Sequence, residues 1–143
     1  TLIHFISDGT NLYEVIRTIG LASGSVSSAG VYSPATYIVA NLDSSSAVYQ
    51  CQYLRQGNTV TVSGRVDVNP TLTATSTQLQ IDLPIPSNIG AVEDVAGVAF
   101  ASGIAGQGAA ILGDATDNRA LLQYIASDIT DQAMYFTFTY QVI

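Results

Sequence analysis

Apolar and polar residues alternate along most of this chain, the pattern of a β-strand with one buried face. The run NTVTVSGRVDV, residues 58 to 68, sets Val60, Val62, Gly64, Val66 and Val68 on one face, with Thr59, Thr61, Ser63, Arg65 and Asp67 opposite. MYFTFTYQVI at the end of the sequence sets Met134, Phe136, Phe138, Tyr140 and Val142 against Thr137, Thr139 and Gln141. AVYQCQYLR puts Tyr49, Cys51 and Tyr53 on one side and Gln50 and Gln52 on the other, and TQLQIDL aligns Leu79, Ile81 and Leu83. Gly64, midway along its strand, marks a bend or a close backbone approach. Gly57-Asn58 supplies the turn before it.

Weaker strand patterns cover 31–39, 95–102, 108–113 and 119–126, with Pro34 demanding an edge strand or a bulge in the first. LPIPSNIG, 83–90, is a proline-broken connection, and DATDN, 114–118, is a turn. RALLQYIA has some helical character, but its neighbours favour strand. About eight strands at this spacing, without a convincing helix, predict an all-β fold, an antiparallel β-sandwich of jelly-roll-like type. In front of it, FISDGTNLYEVIR predicts a short hairpin around Asp8-Gly9-Thr10-Asn11. The organisation expected is a hairpin over 1–20, a linker over 21–30 (within it LASGSVSSAG) and a sandwich domain over 31–143. An isolated hairpin is marginal in water, so this one is expected to lean on another copy of the chain or on an upstream segment, whose loss the start at Thr1 suggests.

Composition narrows the function. Hydrophobic residues make up 48% of the 143 and charged residues 10%, so the polar surface is mostly Ser, Thr, Asn and Gln, suited to extracellular contact. Four arginines and no lysine face eleven acids, a net charge of -7 that repels a nucleic-acid backbone. The longest apolar run, Val95 to Ala101, falls far short of the roughly 20 residues a membrane helix needs. Cys51, the single cysteine, cannot form an internal disulfide, so the core must hold the fold.

Candidate chemistry is sparse. His4, the one histidine, has no matched nucleophile motif around it, and a place where the hairpin leans on its neighbour accounts for it. Cys51 lies on an inward face with no basic residue placed to activate it. Asp114, Asp117 and Asn118, and Asp128 with Asp131, offer oxygen ligands in turns but match no calcium-loop pattern; turn formation explains them. GIAGQGAAILG, with Gly106 and Gly108, lacks the βαβ context of a nucleotide loop. Glu93 and Asp94, adjacent on a strand, would face opposite ways and could not flank one glycosidic bond. No catalytic, cofactor-binding or metal residue is therefore assigned. Tyr32 and Tyr37, beside Pro34, are the tyrosines expected at the surface. Binding residues are expected in the loops 41–46, 69–76, 84–92 and 114–118, without any being singled out.

FISDGTNLYEVIR resembles the SDGTNWYEV segment at the end of stem regions in bacteriophage tail-fibre and related virion proteins, with Leu12 where Trp is commoner. YLRQGNTVTVSGRVDVNPT, GAVEDVAGVAFAS and QAMYFTFTYQVI resemble the C-terminal module of phage structural proteins of environmental viruses. The resemblance implies a homotrimeric fibre tip on the virion, attached to an upstream stem, that adheres to a host-surface glycan or protein by binding and not by turnover. It implies neither nucleic-acid binding nor membrane insertion, and it carries no catalytic residues. The alternatives are a capsid-attached head fibre or decoration protein, and a monomeric carbohydrate-binding module; the absence of Trp weighs against the last.

Overall fold

A computed structural model describes residues 27–143 in full, together with the backbone of two strands before them. Those two, β1 (Leu2–Ser7) and β2 (Leu12–Thr18), pair antiparallel from Leu2↔Thr18 to Ser7↔Leu12, with a register shift between His4 and Phe5. The hairpin is thus present as strands, while its turn and the stretch 19–26 lie outside the described residues. Ten further strands follow: β3 (Ser27–Tyr32), β4 (Thr36–Ala40), β5 (Ala47–Val48), β6 (Cys51–Gln56), β7 (Thr59–Val68), β8 (Ser76–Ile81), β9 (Val95–Ala101), β10 (Gly108–Asp114), β11 (Arg119–Ile125) and β12 (Gln132–Gln141). All pairings are antiparallel, and among the described residues there is no α-helix, hence none long and apolar enough to cross a membrane.

The ten strands form one hydrogen-bonded path, β3-β6-β7-β12-β9-β10-β11-β8-β4, with β5 beside β7. The chain itself dictates how this path bends. Flat, nine strands would hold β3 and β4 roughly 38 Å apart at about 4.8 Å per spacing. Yet Ser33-Pro34-Ala35 alone joins them, and the four steps from Tyr32 to Thr36 reach at most about 14 Å. The sheet must curl until its two edges meet. They do: the Tyr32 hydroxyl of β3 donates to the carbonyl of Asp82 (3.2 Å), which follows β8 beside the β4 edge. Pro34, expected to bulge one strand, instead separates two edge strands at opposite ends of the path, where its missing N–H breaks no ladder. Strand β3 also takes in residues 27–30, the last four of the stretch expected to be linker.

The concave side holds the core. Val60, Val62, Val66 and Val68 of β7, Met134, Phe136, Phe138 and Tyr140 of β12, and Leu79 and Ile81 of β8 are all buried, as their alternation predicts. Phe136, Phe138 and Tyr140 stand in a row, with successive ring centroids 5.9 and 6.3 Å apart. The Tyr140 hydroxyl reaches across to the 83–90 connection, accepting from the Ile85 N–H (3.1 Å) and donating to the Ile85 carbonyl (2.8 Å). RALLQYI forms β11, with Ala120, Leu122 and Tyr124 inward.

Candidate functional site

Only one inward set departs from its pattern. Tyr49 is exposed, whereas Cys51 is buried and Tyr53 half-buried. The registers explain it: Val48 faces Val66 and Gln52 faces Ser63, so three residues, 49 to 51, lie opposite two, 64 and 65. The extra residue is a β-bulge, which turns Tyr49 outward over Arg65. The Tyr49 ring lies 4.6 Å from the Arg65 guanidinium, and its hydroxyl donates to Asp67 Oδ2 (2.8 Å). Arg65 in turn grips Asp67 through Nε (2.9 Å) and a second nitrogen (2.8 Å). The hydrogen bonds to Asp67 push the Arg65 guanidinium further up and raise the Tyr49 phenol above its ordinary value.

Beside this clamp the outer face has a notch of about 380 Å³, walled by Gln50, Gln52, Ser63, Arg65 and Tyr135, with Gly64 and Phe136 at its base. Gly64 lets the core close up directly beneath the notch: an added Cβ would collide with the Cys51 sulfur and lie 2.9 Å from Phe136 Cζ. A second hollow of about 290 Å³, reaching from Ala29 to Thr61, shares Gln52 and Ser63 with the first. Among the described residues the side chains of Gln50, Gln52, Ser63 and Tyr135 make no hydrogen bonds within the protein.

The loops expected to carry binding groups are occupied otherwise. Asn41, at a left-handed φ of 55°, donates to the Leu72 carbonyl and Thr77 Oγ1 and accepts from Thr71 Oγ1 and the Leu72 N–H, all at 2.8 Å. Asp43 accepts from Asn69 (2.8 Å) and from Ser45, whose hydrogen bonds lower its carboxyl below the usual range. Loops 41–46 and 69–76 are thereby sewn together. In the 84–92 segment, Ser87 donates to the Gln141 carbonyl (2.7 Å) and the Ile89 N–H to Asn118 Oδ1 (2.7 Å).

The other residues singled out from sequence fall in structural roles. Gln80, buried, donates to Asp114 and Asp117, and Arg119 bridges Asp82 (2.8 Å) and the Gln80 side-chain Oε1 while stacking 3.7 Å from the Tyr37 ring. Asp128 accepts from the Thr130 N–H and hydroxyl, and Asp131 is exposed. Among the described residues no three His, Cys, Asp or Glu side chains gather as metal ligands. Glu93 and Asp94 lie in a 3-10 turn, Val92–Asp94, not on a strand. Asp94 accepts there from the Gly90 and Ala91 N–H groups (2.7 and 3.0 Å). Gly106 occupies a left-handed turn (φ 76°), and Gly108 opens β10 opposite Phe100. Cys51 is buried, and burial pushes its thiol up to about 11, away from reactivity. Tyr37 is exposed as expected, but Tyr32 is half-buried against Tyr53. The side chain of His4 lies outside the described residues.

A second surface stands out by its lack of charge. The neighbouring strands β12, β9, β10 and β11 contain no charged residue except Asp114 and Arg119 at one end. Tyr135, Phe100, Val98 and Ile125 project from this convex face, each about half exposed or more, with Ala96, Ala110 and Thr137 between them. Those four large side chains leave on the order of 400 Å² of largely apolar surface in water, comparable to the largest patch on a typical monomer. No protein-family model matches this chain, and no curated protein is significantly similar to it in sequence.

Proposed function

We propose that this protein is a virion structural protein, the distal part of a bacteriophage fibre, in which three copies meet and bind a host-cell surface without catalysis. In this reading the curled sheet is the jelly-roll-like tip, and the strands β1 and β2 belong to the end of the stem. The observation that carries it is the uncharged face on β9, β10 and β11, around Phe100, Val98 and Ile125. Copies with a net charge of -7 repel each other over most of their surface, and this is where they can approach without opposing charges. Three weak sites at one tip then add through multivalency, so modest affinity at each suffices. The resemblance of the hairpin and the C-terminal segments to phage fibre modules supplies the biological setting.

Light scattering on residues 1–143 is the direct test. The expected mass is three times the 15.0 kDa of one chain, falling to one chain in Val98→Glu, which puts a charge in the centre of the face without touching the core. Labelled trimer should then adhere to cells of a bacterial host. A monomer that adheres to no bacterium overturns the proposal. A monomer that binds polysaccharide favours a carbohydrate-binding module instead, a reading to which the notch beside Tyr135 lends weight.

A further inference from the structure

We infer that the notch beside the β5–β6 bulge, with the hollow adjoining it, is a binding site for an uncharged oligosaccharide of hexopyranose units. The inference deepens the adhesive reading above by naming a site and a ligand class, and it rests on that reading only for biological context. Three features converge on it.

The first is the chemistry of the walls. Gln50 and Gln52 each offer a donor and an acceptor in one plane, and Ser63 adds a hydroxyl. None is engaged within the described protein. Neighbouring hydroxyls of a sugar, each both donor and acceptor, complement such groups, whereas an apolar ligand would leave them unsatisfied. Tyr135, 55% exposed, adds an apolar ring with a polar tip, matching the C–H face of a pyranose and its hydroxyl rim.

The second is charge. Arg65, the one cation of the notch, is held by the Asp67 carboxylate in a two-point fork, so the site presents no net positive charge. On a chain of net charge -7, a sulfated, phosphorylated or sialylated ligand has nothing to neutralise it.

The third is shape. The two hollows, about 380 and 290 Å³, share Gln52 and Ser63 and open along the sheet surface, which suits a chain of rings laid across the strands. The groups stand on hydrogen-bonded strands, and the Tyr49-Arg65-Asp67 clamp fixes the bulge, so little ordering is needed on binding.

The experiment is saturation-transfer NMR on the full chain with maltotriose, cellotriose, mannotriose and lactose, and with 3′-sialyllactose as the acidic counterpart of lactose. Transfer to at least one neutral oligosaccharide is expected, with less to sialyllactose than to lactose. For the neutral ligand that binds best, Gln52→Ala and Tyr135→Ala should each weaken affinity at least tenfold; both side chains are exposed, and unchanged melting curves would confirm folding. No transfer to any neutral sugar, stronger transfer to sialyllactose, or binding unaltered in both variants would overturn the assignment. The fibre reading fails separately. Cell adhesion that persists in both variants removes this site and keeps the fibre. A monomer that ignores bacteria but binds sugar through Gln52 and Tyr135 keeps the site and removes the fibre.

Discussion

Replacing Gly64 by alanine tests how tightly the bulge is built. The new methyl group would run into the Cys51 sulfur and sit 2.9 Å from Phe136 Cζ, and both neighbours are buried in the core. Overpacking of this kind costs about 1–3 kcal/mol. Cys51→Ala alone removes one buried heavy atom and leaves a small void, a loss of about 1–2 kcal/mol. Combined, the two changes nearly conserve volume, because the added methyl enters the space the sulfur leaves. The double variant should therefore be more stable than the sum of the single losses by at least about 1 kcal/mol, well outside the roughly 0.5 kcal/mol within which independent sites add. Phe136 still has to shift, so the rescue should stop short of wild type. The assay is urea denaturation of the four proteins at one fixed protein concentration, followed by tyrosine fluorescence, which no tryptophan obscures. Additive losses would refute the reasoning, since they would mean that the methyl at 64 and the sulfur at 51 do not compete for the same space.

Gly97→Ala should prevent folding, because its methyl group would overlap the Phe138 backbone and the Thr137 carbonyl in the central strand, while Gly103→Ala, with open space around it, should be neutral; soluble yield and melting temperature separate them. Asn41→Ala removes four hydrogen bonds and places a β-carbon residue without side-chain support at φ 55°, so a loss of about 2–4 kcal/mol is expected, and Asn41→Gly, which relieves only the backbone, should recover no more than about 1 kcal/mol of it. Burial raises the phenols of Tyr124 and Tyr140 to about 12 from 10.0 and the Cys51 thiol to about 11 from 9.0, so the folded state keeps protons that the unfolded chain releases. Stability should be full below about pH 9 and fall as pH rises to 12, by up to about 1.4 kcal/mol per pH unit for each group, and Tyr140→Phe should flatten the urea-derived slope by one such share.

Where burial alternates on an unbroken strand, the sequence was a faithful guide. The faces of β7, β8 and β12 follow directly from their valines, leucines and aromatics. Tyr49 did not follow, because an inserted residue reverses a side chain without changing local composition; the only trace was Gly64, a gap in a run of valines facing the bulge. Pro34 announced an interruption but could not say that the strands on either side belong to opposite edges, since pairing between distant segments leaves no mark in either one. The same limit hid the notch. Gln50, Gln52, Arg65 and Tyr135 each look like ordinary outward residues, and only the β6-β7-β12 neighbourhood brings them together. In the loops, the polarity that drew attention has a physical reason of its own: their Asn and Asp residues are largely spent on holding them in shape.

The position of β12 bears on how the molecule is made. This strand joins β7 to β9 in the middle of the path, yet it follows every other strand in the sequence. Before β12 has been synthesised, the sheet exists at best as two fragments, β3-β6-β7 and β9-β10-β11-β8-β4, each with a bare inner edge and a half-covered core. Until residue 141 has left the exit tunnel, those edges are open to strands of neighbouring nascent chains, so that synthesis rate and polysome crowding govern the yield of correctly assembled protein.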